Sequence, residues 1–166
     1  MSVDFVVFSV IGFVCYAAFC VCLYWVPSIQ QQYREAHHGE DSLVEINDVI
    51  FTVHASFITS VYLIQVLMYR KPEERLSRIG WAMTGVFLLL AGILIVLSAA
   101  KVTTWLFLLT TLTWVKLILT VVKYIPQAWS NYQRKSTVGW SIINVLLDFS
   151  GGVFSIAQII IDSVLA

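Results

Sequence analysis

The sequence predicts an all-α membrane protein with five transmembrane helices, and three observations carry that expectation. Hydrophobic residues make up 59% of the 166 and charged residues only 12%, at a mean hydropathy of +0.84. Soluble domains carry about 25% charged residues, so the supply for a wetted surface is roughly halved and lipid must cover the rest. Several apolar runs reach the ~20 residues that a helix needs to cross a bilayer. The connectors between these runs hold most of the charge. Ten basic and ten acidic residues balance to zero, which argues against a nucleic-acid partner.

The first span is expected over about 5–26, closed by Pro27. The preceding Met1-Ser2-Val3-Asp4 is not basic and the apolar run is long, so it reads as a span and not as a cleavable signal. Cys15, Cys20 and Cys22 all lie inside it with no CxxC or Cys/His spacing, and are expected to be packing residues. A polar stretch, 28–45, follows with His37 and His38 among acids; it reads as a solvated loop. The second span is expected over about 47–69, the third over 79–99, the fourth over 102–126 and the fifth over 140–164, with connectors at 70–78 and 127–139.

Lys and Arg in short loops set orientation. Arg70, Lys71, Arg75, Arg78, Arg134 and Lys135 fall on one side, with the N-terminus, against Arg34 and Lys101 on the other. The first side is expected to be cytosolic, and five crossings put the C-terminus opposite the N-terminus. The third span has no ionisable residue and reads as lipid-facing or connecting. A weak repeat is also present. A shift of 139 lays Ser2 on Ser141, Val6 on Val145, Gly12 on Gly151, Val14 on Val153 and Ala18 on Ala157, with Ser9 opposite Asp148. Both copies start on the cytosolic side, as parallel repeats do.

The polar residues inside the spans are the candidate site. Ser141, Asn144, Asp148, Gly151, Ser155, Gln158 and Asp162 recur at three- and four-residue steps, one stripe of a helix. A charge at the bilayer centre costs at least about 2.5–3.5 kcal/mol, so this stripe must face protein or water. Ser141, Gly151 and Ser155 suit close helix packing; Asp148 points to a proton or solute site, and Asp162 to a solvated end. Lys116 and Lys123 share a face of the fourth span. Lys116 is deep and calls for a partner, with Asp48 and Asp148 as candidate counter-charges; Lys123 either snorkels to the interface or takes part in the site. Asp48 is either a helix-start acid favoured by the dipole or a functional acid, and His54 a titratable group or a hydrogen-bonded core residue. Pro126 either ends the fourth span or makes a break of the kind that transporters use to hinge or bind solute. Phosphate-loop, GxSxG and HExxH motifs are absent from the sequence, so an enzyme is not expected, and neither is a cofactor or metal.

The run Val122-Lys123-Tyr124-Ile125-Pro126-Gln127-Ala128 through Asn131, then 135–141 (KSTVGWS) and 144–152 (NVLLDFSGG), resembles the second proline-glutamine loop of the cystinosin family, the PQ-loop lysosomal cystine/proton symporters. Asn47-Asp48-Val49-Ile50-Phe51, Thr103-Thr104-Trp105-Leu106 and Leu23-Tyr24-Trp25-Val26-Pro27 extend the resemblance to nearly the whole chain. It implies a seven-helix 3+1+3 SWEET-like architecture, of which this chain holds the second through sixth spans without the first, the seventh or the cytosolic sorting tail. Residues 1–69 would then be the remainder of the first three-helix bundle, 79–99 the linker helix, and 102–166 part of the second bundle.

The resemblance further implies proton-coupled export of cystine from the lysosome lumen by a multi-pass lysosomal membrane protein. Asp148 and Asp48 match proton-coupling positions; Lys116, Lys123, Tyr124, Asn131 and Asn144 match substrate positions; Pro126 and Gln127 match the hinge. Ser9 departs from the family's asparagine, which bears on how solute is held. The implied partners are cystine, protons, membrane lipid and other lysosomal membrane proteins. Two alternatives stay open: a related PQ-loop carrier of a cationic amino acid or a sugar, and a fragment that does not transport.

Overall fold

In the computed structural model, residues 3–69, 75–122, 124–135 and 142–165 are described. All regular structure among them is helical: α1 (Val3–Trp25), α2 (Pro27–Ala36), α3 (Ile46–Tyr69), α4 (Arg78–Ala99), α5 (Trp105–Val122), α6 (Tyr124–Arg134) and α7 (Ile142–Leu165). The helices α1, α3, α4 and α5 are long and apolar enough to cross a membrane, and α7 contains a further apolar stretch, Val145–Gln158. Residues 2–130 form one compact unit, and residues from 131 onward, chiefly α7, form another.

Within the first unit α1 is the central helix. It packs against α3 on one side and α5 on another, while α4 lies against α5 and α2 touches α1 and α5. Cys15, Leu23, Ile29, Leu94, Leu106, Leu108, Leu109 and Leu112 make the apolar core, with Cys15, Cys20 and Cys22 all as free thiols. Outward faces stay apolar. Phe51, Phe57 and Ile64 on α3, and Trp81, Leu88, Leu89 and Val96 on α4, are exposed, as expected where lipid is the solvent and hydrophobic burial has no reason to stop at the protein surface.

Three expectations about element limits need correction, and proline chemistry explains one. Pro27 does not simply end the first span. It opens α2 from an extended Val26 (φ −99°, ψ 104°), because the residue before a proline is pushed out of the helical region while proline itself suits the first turn of a new helix. The 28–45 stretch is therefore not all loop. Ile29 of α2 is buried in the core, and the Gln32 side-chain oxygen accepts from the Leu106 N–H (3.0 Å), satisfying an unpaired donor at the start of α5. The expected fourth span, 102–126, begins later, with α5 at Trp105, and helix is also present from Tyr124 through Pro126 to Arg134 (α6), through much of what was expected to be a connector; Lys123 between α5 and α6 lies outside the described residues.

The α4–α5 connection is short and closed by hydrogen bonds. The Val102 N–H donates to Leu97 O (2.9 Å) and the Lys101 N–H to Ser98 O (3.1 Å), the paired bonds of a Schellman cap. Lys101 takes the left-handed φ of 58° that glycine normally supplies there.

At the opposite end of α4, Asp4 of α1 reaches across to it. Its Oδ1 accepts from the Ser77 N–H at 2.8 Å, while the Ser77 hydroxyl accepts from the Gly80 N–H at 2.9 Å as the N-cap. A Cβ on Gly80 would lie 2.7 Å from that same carboxylate oxygen. Gly80→Ala is therefore expected to push Asp4 off Ser77 and cost about 1–2 kcal/mol, the scale of a charge-assisted bond at a helix start. Thermal unfolding in detergent checks it: Asp4→Ala should add little in the Gly80→Ala background.

Candidate functional site

Ser9, Gly12, Tyr16 and Cys20 fall on one stripe of α1 at three- and four-residue steps. This stripe meets the inner faces of α3 and α5. Ser9 is buried and its hydroxyl donates to the Phe5 carbonyl at 2.8 Å. Cys20 and Thr52 are fully buried at 0% exposure each, and the Cys20 sulfur lies within hydrogen-bonding reach of the Thr52 and Tyr16 hydroxyls. Thr52 also donates to the Val49 carbonyl at 3.1 Å, which fixes its rotamer.

Lys116 comes into this stripe from α5. Its Nζ sits 4.3 Å from the centroid of the Tyr16 ring. Gly12 lets it in: a Cβ there would meet Lys116 Cγ at 3.2 Å, so only a residue without a side chain leaves the stem unstrained. A half-buried ammonium over an aromatic face is a cation–π contact, worth about 0.5–2 kcal/mol depending on desolvation. The expected pairing of Lys116 with Asp48 is not formed. The ion pair present among the described residues is Arg34 with Asp41, in the polar segment after α2.

Asp48 is half-buried in the first turn of α3, where its carboxylate accepts from the Glu45 N–H at 3.0 Å. That is the helix-start role, an acid satisfying a free backbone donor. His54 is exposed on α3, so of its two expected readings the hydrogen-bonded core residue is not met. His37 is held by Tyr33, stacked at 4.0 Å with its Nδ1 2.9 Å from the Tyr33 carbonyl.

Tyr124, at the start of α6, sets its ring edge-on to Phe5 of α1 with centroids 5.7 Å apart. Asn131 is half-buried on the last turns of α6. Lys123 lies outside the described residues, as do the side chains of Pro126, Gln127, Asn144 and Asp148; the backbones of these four belong to α6 and α7.

The structure thus sets Lys116 and, by way of Phe5, Tyr124 against α1, while Asp48 stays at the start of α3, the helix packed on the other side of α1. It also adds Gly12, Cys20 and Thr52, which sequence reasoning did not pick out as site residues. The available signal was the Ser9–Gly12–Tyr16–Cys20 spacing, the same kind of stripe that drew notice in the fifth span. In chemical terms, the column offers one ammonium, a thiol and several hydroxyls between helices, with apolar faces outside.

Comparison with known proteins gives the setting. Residues 108–165 match the PQ loop repeat family. The chain is similar to cystinosin of Bos taurus, 42% identical over 98% of the chain and 44% of that protein. It is 36% identical to cystinosin of Drosophila melanogaster over 98% of the chain and 41% of the relative. To a cystinosin homolog of Arabidopsis thaliana it is 38% identical, over 99% of the chain and 61% of the relative. The chain therefore spans about two-fifths to three-fifths of the length of these curated relatives.

Proposed function

Because the chain is a homologue of the cystinosins and a multi-pass membrane protein of the PQ-loop family, we propose that it works in the proton-coupled export of cystine from the lysosome lumen to the cytosol. The observation that carries the proposal is the position of Lys116, whose ammonium is turned inward onto α1 and away from the apolar outer face of α5. Retaining an ammonium there costs several kcal/mol and gains only a modest aromatic contact. A packing role alone does not explain the balance.

Cystine is zwitterionic at both ends, so a passage for it needs both signs of charge and amide groups. Lys116 and Lys123 receive its carboxylates; Asp48, Asn131 and Asn144 face its ammonium groups; Tyr124 lines the passage. Asp148 takes up a proton on the luminal side and releases it to the cytosol, since a carboxyl group can change charge within a cycle while amides and hydroxyls cannot. Pro126 and Gln127, at the start of α6, form the hinge on which α5 and α6 move. The proposed architecture is the seven-helix 3+1+3 arrangement, with α1 and α3 in the first bundle, α4 as linker, and α5, α6 and α7 in the second. In the proposed orientation α2 lies in the lumen and Gly80 faces the cytosol.

The test is radiolabelled cystine uptake by the full-length protein redirected to the plasma membrane. Uptake should rise as the outside is acidified. No uptake at any pH, or uptake of lysine or a sugar in place of cystine, would overturn the substrate.

A further inference from the structure

We propose that Tyr16 is a positioning residue for Lys116: its ring is the seat that holds the ammonium inside the helix bundle and presents it to the carboxylate of an incoming solute. The proposal rests on the transport reading above for what Lys116 receives, and on geometry for the seat itself.

Three contacts define the seat. The ammonium lies 4.3 Å from the ring centroid. The Lys116 stem runs over Gly12, one turn before Tyr16 on the same α1 face, where a Cβ would come to 3.2 Å of Cγ. The Tyr16 ring is itself braced, stacked against Phe19 with centroids 6.4 Å apart, and its hydroxyl is within reach of Cys20, which in turn reaches Thr52 on α3. The ring is thus braced along its own helix, through Phe19 and Cys20, and Cys20 ties that stretch to α3. A lysine has four rotatable side-chain bonds and, without a seat, would swing toward whichever end of the bilayer offers water. A ring attracts the ammonium without forming a covalent or charged bond to it, so a carboxylate, which binds it more strongly, can draw it off. An aspartate in the same place would compete with the solute; an aromatic face does not. Asp48, offered by the sequence as a counter-charge, is engaged with the Glu45 N–H and forms no ion pair with Lys116.

Full-length protein labelled with carbon-13 lysine, in detergent micelles, provides a test that does not depend on transport. The Lys116 ε-proton resonance, assigned by its loss in Lys116→Arg, should lie upfield of the other lysines because it sits over a ring. It should keep that shift in Tyr16→Phe and lose it in Tyr16→Leu. In uptake, Tyr16→Leu should raise the half-saturating cystine concentration roughly two- to thirtyfold, the range of a cation–π contact, with the maximal rate unchanged. Tyr16→Phe should behave as the parent. An unshifted resonance in the parent protein, a Phe variant as impaired as the Leu variant, or an unchanged half-saturation in Tyr16→Leu each overturns the seat. A shifted resonance in a protein that takes up no cystine supports the seat and counts against cystine transport.

Discussion

Replacing Lys116 with methionine is expected to lower cystine uptake at least tenfold, and up to about a hundredfold, without destabilising the protein. The uptake loss follows from removing a charged donor to a carboxylate in a desolvated place, where such a bond contributes about 1.5–3 kcal/mol. The stability expectation runs the other way. Methionine fills a similar volume over Gly12 without a charge to desolvate, and replacing a buried charge with an apolar residue of like size is often neutral or stabilising. The lost contact with Tyr16, about 0.5–2 kcal/mol, offsets that gain in part. The combined signature, lower uptake with equal or higher thermal stability, is what a side chain kept for function should give. Lys116→Arg should rescue poorly: its stem would pass Gly12 as lysine's does, but a planar, forked guanidinium does not replace a compact ammonium at the carboxylate. If Lys116→Met lowers stability and uptake in parallel, the lysine is structural and the transport assignment loses its main support.

Asp148→Asn is expected to abolish the inward proton current that cystine evokes. Asparagine has nearly the same shape and keeps hydrogen-bonding capacity, but it cannot take up and release a proton. A symporter that has lost its proton carrier should no longer be driven by an acidic lumen, while exchange of internal for external cystine, which needs no net proton movement, should continue. Whole-cell recording from cells with the full-length protein at the plasma membrane separates the two. The expected result is loss of current by at least tenfold with exchange retained. Normal currents in Asp148→Asn would remove this residue from the coupling step and leave Asp48, whose carboxylate already accepts a backbone N–H, as the acid to test next.

Composition and hydropathy identified most of the helices, because a bilayer imposes one length and one polarity on every spanning segment. The limits of α1, α3 and α4 fall within a few residues of those read from the apolar runs. The errors lie in the polar segments after the prolines. Pro27 looks like an ending, yet it opens α2, and helix runs through Pro126 to Arg134. Proline disfavours helix just before it and permits helix after it. At Pro27, what decides the outcome is whether the following polar segment finds something to pack against, as Ile29 and Gln32 of α2 do.

From residue type and spacing alone, the sequence could be read as α-helical with several segments long and apolar enough to span a membrane, and with ionisable residues inside those segments. It could not determine which groups meet. Asp48 was a natural counter-charge for Lys116 by charge alone, but the ammonium lies over Tyr16 and the carboxylate caps its own helix. That was set by the fold, because contact between distant segments depends on how each helix is rotated about its axis and on where room is left for a side chain. Gly12 leaves that room for the Lys116 stem, and the absence of a side chain at one position is visible in the sequence only as a small residue among many.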